Sequence, residues 1–134
     1  METLLYYAAG NENREKEMAT LAGKIGAGFV PVSPLQTGQQ IGCLAGVEGF
    51  VEKKLSLLEL PPRLPEEMLI FSGFSEERLD VMLGLLRGNG LSVSLKAVVT
   101  AHNVGWTFAA LYQELAAERA EFAKQREKAK NGKE

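Results

Sequence analysis

The chain has a single cysteine, Cys43, and a single histidine, His102, among its 134 residues. One cysteine excludes an intramolecular disulfide, and one cysteine with one histidine cannot by themselves complete a Cys/His zinc site, so no metal is expected. Net charge is nearly missing as well. Fifteen basic against 17 acidic side chains leave −2, too little for an electrostatic footprint on nucleic acid, and no such partner is expected. No apolar run approaches the ~18 residues that would span a bilayer. The chain opens on Glu2 in place of a basic stretch ahead of a long apolar one, so the expectation is a cytoplasmic chain with no membrane association.

Other chemistry is equally sparse. Glu12, Glu15, Glu17, Glu66, Glu67, Glu76 and Glu77 cluster at expected helix entrances, where the helix dipole favours negative charge, so no carboxylate pair is read as acid and base. The glycine-rich GAGFVP and GNGLSV follow helices instead of leading into them. They lack both the spacing of a dinucleotide fingerprint and the Gly-Lys-Ser/Thr of a P-loop; they are read as helix ends, and no cofactor is expected.

What remains is an ordinary globular composition, 46% hydrophobic and 24% charged, at a length that suits one domain with a sizeable core. Within it the chain echoes itself. LLYYAAGNENR, Leu4 to Arg14, is followed 64 positions later by MLIFSGFSEER, Met68 to Arg78. Both begin as a short run of strand formers and reach a residue suited to cap a helix, Asn11 or Ser75, with a Glu next and an Arg three positions on. Helical spacing then appears as Met18, Leu21, Ala22 and Ile25, and again as Leu79, Met82, Leu83 and Leu86. Gly26 and Gly28, or Gly88 and Gly90, close these helices, and strands are expected at Phe29 to Ser33 and Leu91 to Thr100.

The most specific echo is TGQQIG, Thr37 to Gly42, against TAHNVG, Thr100 to Gly105. Each reads as a strand or loop end turning into a helix, short in the first copy and long in the second. That last helix is expected to begin at Asn103 and to bury Val104, Phe108, Leu111 and Leu115 along one face. Its end is polar. From Lys124 to Glu134 five basic and two acidic groups give +3, against −5 for the remainder.

The resulting expectation is an α/β fold, two βαβα pseudo-repeats sharing one sheet of about four strands, with helices packed on it and a long C-terminal helix. A ferredoxin-like α+β sandwich is the alternative. The chain is divided as a single domain, 1–134, with a first unit about 3–46, a connector about 47–66, a second unit about 67–116 and a polar helical tail about 117–134. The connector includes ELPPRLPEE, with three of the five prolines, and is expected to be stiff. VEGFVEKKLSLL, Val47 to Leu58, fits neither strand nor helix.

Candidate sites follow from the echo. A helix N-terminus offers free N–H groups, so Thr37, Gln40, Lys96, Thr100, His102 and Asn103 are the candidates for an anionic or polar ligand, should the two helix starts converge. The bland reading is that these side chains cap their own backbone. Trp106 and Tyr112 are candidates for an interface, with core packing the plainer alternative. Cys43 lies among Ile41, Leu44 and Ala45 and reads as a packed thiol.

The second half, from MLIFSGFSEERLDVMLGLLR through LKAVVTAHNVGWTFAALYQELAAE, resembles the small bacterial domain-of-unknown-function family 3783. The residues that carry the resemblance are Lys96, Thr100, Asn103, Trp106, Leu111, Glu114 and Leu115, over about the last 60 residues. That family has no established activity, so the resemblance implies a fold neighbourhood and no chemistry. The first half departs from its pattern, with Gln40 where the second has Asn and Cys43 where it has Trp. The functional expectation is a cytoplasmic, non-enzymatic module acting by self-association or on a protein partner; the alternative is a binding domain for a small anionic or polar molecule, or an enzyme, with its pocket at the helix starts.

Overall fold

A computed structural model describes residues 1–54, 61 and 63–131. Its elements run β1 (Thr3–Tyr7), α1 (Glu12–Lys24), β2 (Gly28–Pro31), a 3₁₀ helix (Pro34–Gly38), α2 (Ile41–Leu44), β3 (Met68–Ser72), α3 (Glu76–Gly88), β4 (Lys96–Val98) and α4 (Phe108–Asn131). Strand, helix and parallel strand thus follow in the same order in each half. The four strands make one sheet in the order β2-β1-β3-β4.

β1 and β3 lie at the centre, antiparallel, with Leu5 opposite Ile70, and each carries a parallel partner on its outer side. Every residue of TLLYY and MLIFS is buried, as central strands covered on both faces require. Two right-handed crossovers leaving an antiparallel pair place their helices on one face. Accordingly Met18, Leu21 and Ala22 of α1 join Met82 and Leu86 of α3 over Leu4, Tyr6, Leu69 and Phe71. On the opposite face Leu5, Tyr7, Met68 and Ile70 pack under Ile41 of α2 and Phe108, Leu111 and Tyr112 of α4. Helices on both faces set aside the ferredoxin-like alternative.

The sequence-derived caps hold. The side chain of Asn11 accepts from the Arg14 N–H at 3.1 Å and that of Ser75 from the Arg78 N–H at 3.2 Å. Past their C-terminal ends, Gly26 and Gly90 take φ of +75° and +69°, the left-handed conformation that reverses a chain leaving a helix.

Several boundaries differ from expectation. β2 starts at Gly28 and ends at Pro31, though the Val32 N–H still donates to the Tyr6 carbonyl at 2.8 Å. The second outer strand covers only Lys96–Val98. Leu91, Val93 and Leu95 alternate and are buried, but Leu91 closes α3 by donating its N–H to the Leu86 carbonyl. The ladder with β3 begins only at the Leu95 carbonyl, which accepts from the Leu69 N–H at 3.0 Å, so the burial of Leu91 and Val93 comes without strand pairing. Leu83, on the helical stripe read from the sequence, is half-buried at the margin of the core. The last helix begins at Phe108, five residues beyond the expected Asn103, because the Thr107 hydroxyl, not Asn103, accepts from the first-turn Ala110 N–H at 3.1 Å. Val104 is therefore in a turn.

Glu66 and Glu67, read from sequence as a helix entrance, precede β3 instead. The connector ahead of them is anchored through Leu64, which is buried and whose carbonyl accepts from the Tyr7 hydroxyl at 2.7 Å. Residues 47–54 form no regular element; Phe50 lies on Gly42, so closely that a Cβ there would meet its ring at 2.6 Å. The rest of the VEGFVEKKLSLL segment, 55–58, lies outside the described residues.

Candidate functional site

The two echoing motifs meet. Gln40 and Thr107 form an antiparallel bridge. The Ile41 N–H donates to Trp106 O and the Gly42 N–H to Val104 O, both at 2.8 Å, while the Phe108 N–H donates to Gln39 O at 3.0 Å. The helix starts of α2 and α4 therefore converge, and their leading N–H groups are taken up by carbonyls of the opposite segment. Convergence produces a backbone clasp between the halves.

The nominated side chains serve the same local ends. The Thr37 hydroxyl, buried, donates to Pro34 O at 2.8 Å. The Gln40 carboxamide donates to Gly105 O at 3.0 Å. Thr100 and Asn103 bond each other reciprocally, Thr100 N–H to Oδ1 at 2.9 Å and Asn103 N–H to Thr100 Oγ1 at 3.2 Å, and the Asn103 amide also donates to Val98 O at 3.0 Å. That last bond ties the turn to the end of β4. His102 is exposed in the turn, its ring edge-on to Trp106 with centroids 5.2 Å apart. Asn103 and His102 thus sit in the turn before α4, not at its start. Tyr112 is buried and its hydroxyl accepts from the Glu66 N–H at 3.2 Å, which gives it to the core; Trp106 is half-buried. Gln39, not among the nominated residues, ties down the segment after α2, its carboxamide holding both the N–H and the carbonyl of Lys53 at 2.8 and 2.7 Å. Only its neighbouring Gln hinted at it in the sequence.

Lys96 goes elsewhere. It stands exposed on the edge strand β4, its ammonium donating to Val93 O at 3.2 Å, and it lines a groove of about 600 Å³ between Ser94–Lys96 and α4. The other wall is one face of α4, from Leu115 through Phe122 to Ala129. Arg119 anchors the near end of that wall, donating to Ser94 Oγ at 3.1 Å and pairing with Glu66, whose carboxyl this hydrogen-bonded guanidinium holds below the usual carboxylate range. Beyond this point α4 leaves the body. Residues 120–129 are exposed and Phe122 keeps 62% of its surface in water.

Two further ion pairs tie the halves together. Arg14 meets the Glu67 carboxylate twice, at 2.7 and 2.9 Å, and reaches the carbonyls of Gly90 and Ser92 past α3. Arg78 does the same to Glu2, at 2.8 and 2.9 Å, and reaches the Ile25 carbonyl at the end of α1. The Tyr6 hydroxyl donates to Glu67 at 3.1 Å, and burial above all pushes its pKa up to about 12. The matching Arg in LLYYAAGNENR and MLIFSGFSEER was the one signal of these pairs in the sequence. Cys43 is half-buried. Among the described residues no three His, Cys, Asp or Glu side chains gather as a metal site, and no helix is long and apolar enough to cross a membrane.

Residues 67–122 match the model of a domain of unknown function (DUF3783). The match runs from the residue before β3 to Phe122, so it takes in the β4 edge and much of the groove wall. No curated protein and no solved structure matches the chain.

Proposed function

From a second half that carries this domain of unknown function, we propose that the chain is a protein-binding module, acting by self-association or on a protein partner along the groove between the β4 edge and the outer half of α4. The observation that carries this reading is Phe122, 62% exposed on a helix that has left its own body. An exposed aromatic ring in a groove also lined by Lys96, Arg126, Glu118 and Gln125 has the make-up of an interface centre with a polar rim. The helix itself argues the same way: α4 has 24 residues, about 36 Å, and buries only its first turns. A helical stretch shorter than ~12–15 residues is marginal in water by itself. The bonds of Thr37, Gln40, Thr100 and Asn103 to nearby backbone weigh against a ligand pocket at the helix starts.

A photo-reactive phenylalanine analogue in place of Phe122 tests the reading in cells. A discrete adduct, absent when the analogue replaces the exposed Lys16 of α1, is the expected result. A chain that gives no adduct from position 122 does not bind through this groove.

A further inference from the structure

Resting on that reading of the groove, we propose that its occupant is α4 of a second copy of this chain, laid antiparallel so that the two Phe122 rings meet at the crossing point. A two-fold axis through Phe122 exchanges residues equally spaced on either side of it. Leu115 then faces Ala129, Glu118 faces Arg126 and Arg119 faces Gln125. Every α4 residue lining the groove is thereby paired with another that lines it, which is the self-complementarity an isologous contact demands. The Glu118–Arg126 pair forms twice, once on each side of the axis. A parallel arrangement would instead set Glu118 on Glu118 and Arg126 on Arg126, like charge on like.

Overall charge runs the same way. The antiparallel pose carries the C-terminal end of each α4 toward the body of the other copy, and the stretch from Lys124 on bears +3 while the remainder bears −5. Large meets small at Leu115 and Ala129, and among the residues lining the groove Phe122 finds an apolar match of equal size in its own copy. Exposed ion pairs are screened by salt, so the dimer weakens as salt is added.

The test is sedimentation equilibrium on the full chain. The wild type is expected to show a reversible monomer–dimer equilibrium. E118R and R126E each place like charges across both crossings and are expected to weaken it tenfold or more, with circular dichroism and melting of the monomer unchanged. Mixing the two single variants restores a dimer, because opposite charges then face each other on both sides of the axis. A wild type that stays monomeric at every concentration, or a dimer indifferent to both reversals, overturns the proposal. The crosslinking at position 122 separates this from the broader reading. An adduct of twice the chain's mass supports the second copy, while an adduct of another mass overturns the second copy and leaves the groove a binding surface.

Discussion

Arg14 and Arg78 stand at the same place in α1 and α3, three residues after the caps Asn11 and Ser75, and each clasps the other half of the chain. Each guanidinium takes the carboxylate just before the opposite central strand, Glu67 or Glu2, and a carbonyl beyond the opposite helix. Removing Arg14 takes the charged partner from Glu67, which keeps the Tyr6 hydroxyl, and a donor from each of two carbonyls at a partly buried site. Arg14→Met is expected to lower stability by about 1–3 kcal/mol, as loss of charge-assisted hydrogen bonds does. Arg78 is more exposed, so Arg78→Met is expected to lower it less. Urea midpoints of the two variants check the order.

Below these clasps lies the apolar layer between α1 and α3. Leu86 is 2% exposed there, so Leu86→Ala is expected to lower stability by about 2–5 kcal/mol. Its neighbour Arg87 is exposed, and Arg87→Ala is expected to leave the denaturant midpoint within about 0.5 kcal/mol of wild type. Equal effects at the two positions would contradict the helix phase.

How much of this was legible depends on how local each decision is. Asn11 and Ser75 were readable because a cap and the N–H it accepts lie three residues apart. The start of α4 was not. Thr100, Asn103 and Thr107 are all competent caps, and the choice among them falls to the pairing of 39–42 with 104–108, some 65 residues apart in sequence. β4 was read too long because the alternation of Leu91, Val93 and Leu95 reports which side chains are buried and says nothing of whether the backbone finds a ladder. Glu66 and Glu67 were misplaced by a helix-entrance rule that an adjoining strand satisfies equally. The echo of the two Thr-containing motifs raised their convergence as a condition for a site, and the outcome, N–H groups consumed by facing carbonyls, was not legible. The groove needed the direction of α4 relative to β4, which no periodicity encodes.

Thr107 supplies a sharp check on where α4 begins. Thr107→Ala removes the acceptor for the Ala110 N–H and is expected to lower stability by about 1 kcal/mol, within the usual range for lost caps. Thr100→Ala is expected to loosen the 100–103 turn without loss of helical circular dichroism, since Thr100 bonds Asn103 and not the helix. Loss of helicity on the second substitution would return the helix start to the earlier position.

Tyr6 sets an alkaline limit. Its hydroxyl ionises near 10 in the unfolded chain and at about 12 in the fold, so the unfolded state loses its proton first. The protonated hydroxyl's contribution is fully present below pH ~10 and is lost as pH rises toward ~12, a total of about 1–3 kcal/mol for a shift of this size. Tyr6→Phe removes the titrating group, and its urea midpoint is expected to fall less steeply than that of wild type between those pH values. Identical slopes would show that burial does not hold the Tyr6 proton.

The end of α4 separates folding from association. Deleting Gln125 to Glu134 removes from this stretch a single apolar residue, Ala129, and no residue of either buried cluster. The truncated chain is therefore expected to melt cooperatively, within a few degrees of full-length monomer. The same deletion removes Gln125, Arg126 and Ala129 from the groove wall, half of every pair exchanged about Phe122. It is expected to abolish the dimer and, with it, any rise of melting temperature with protein concentration, because association with the folded state alone is what makes melting depend on concentration. A truncated chain that still dimerises would move the contact off this face of α4. One that no longer folds would mean that the helix end supports the body directly, against the exposure of residues 120–129. Melting curves at low and high protein concentration, run on both lengths, distinguish the three results.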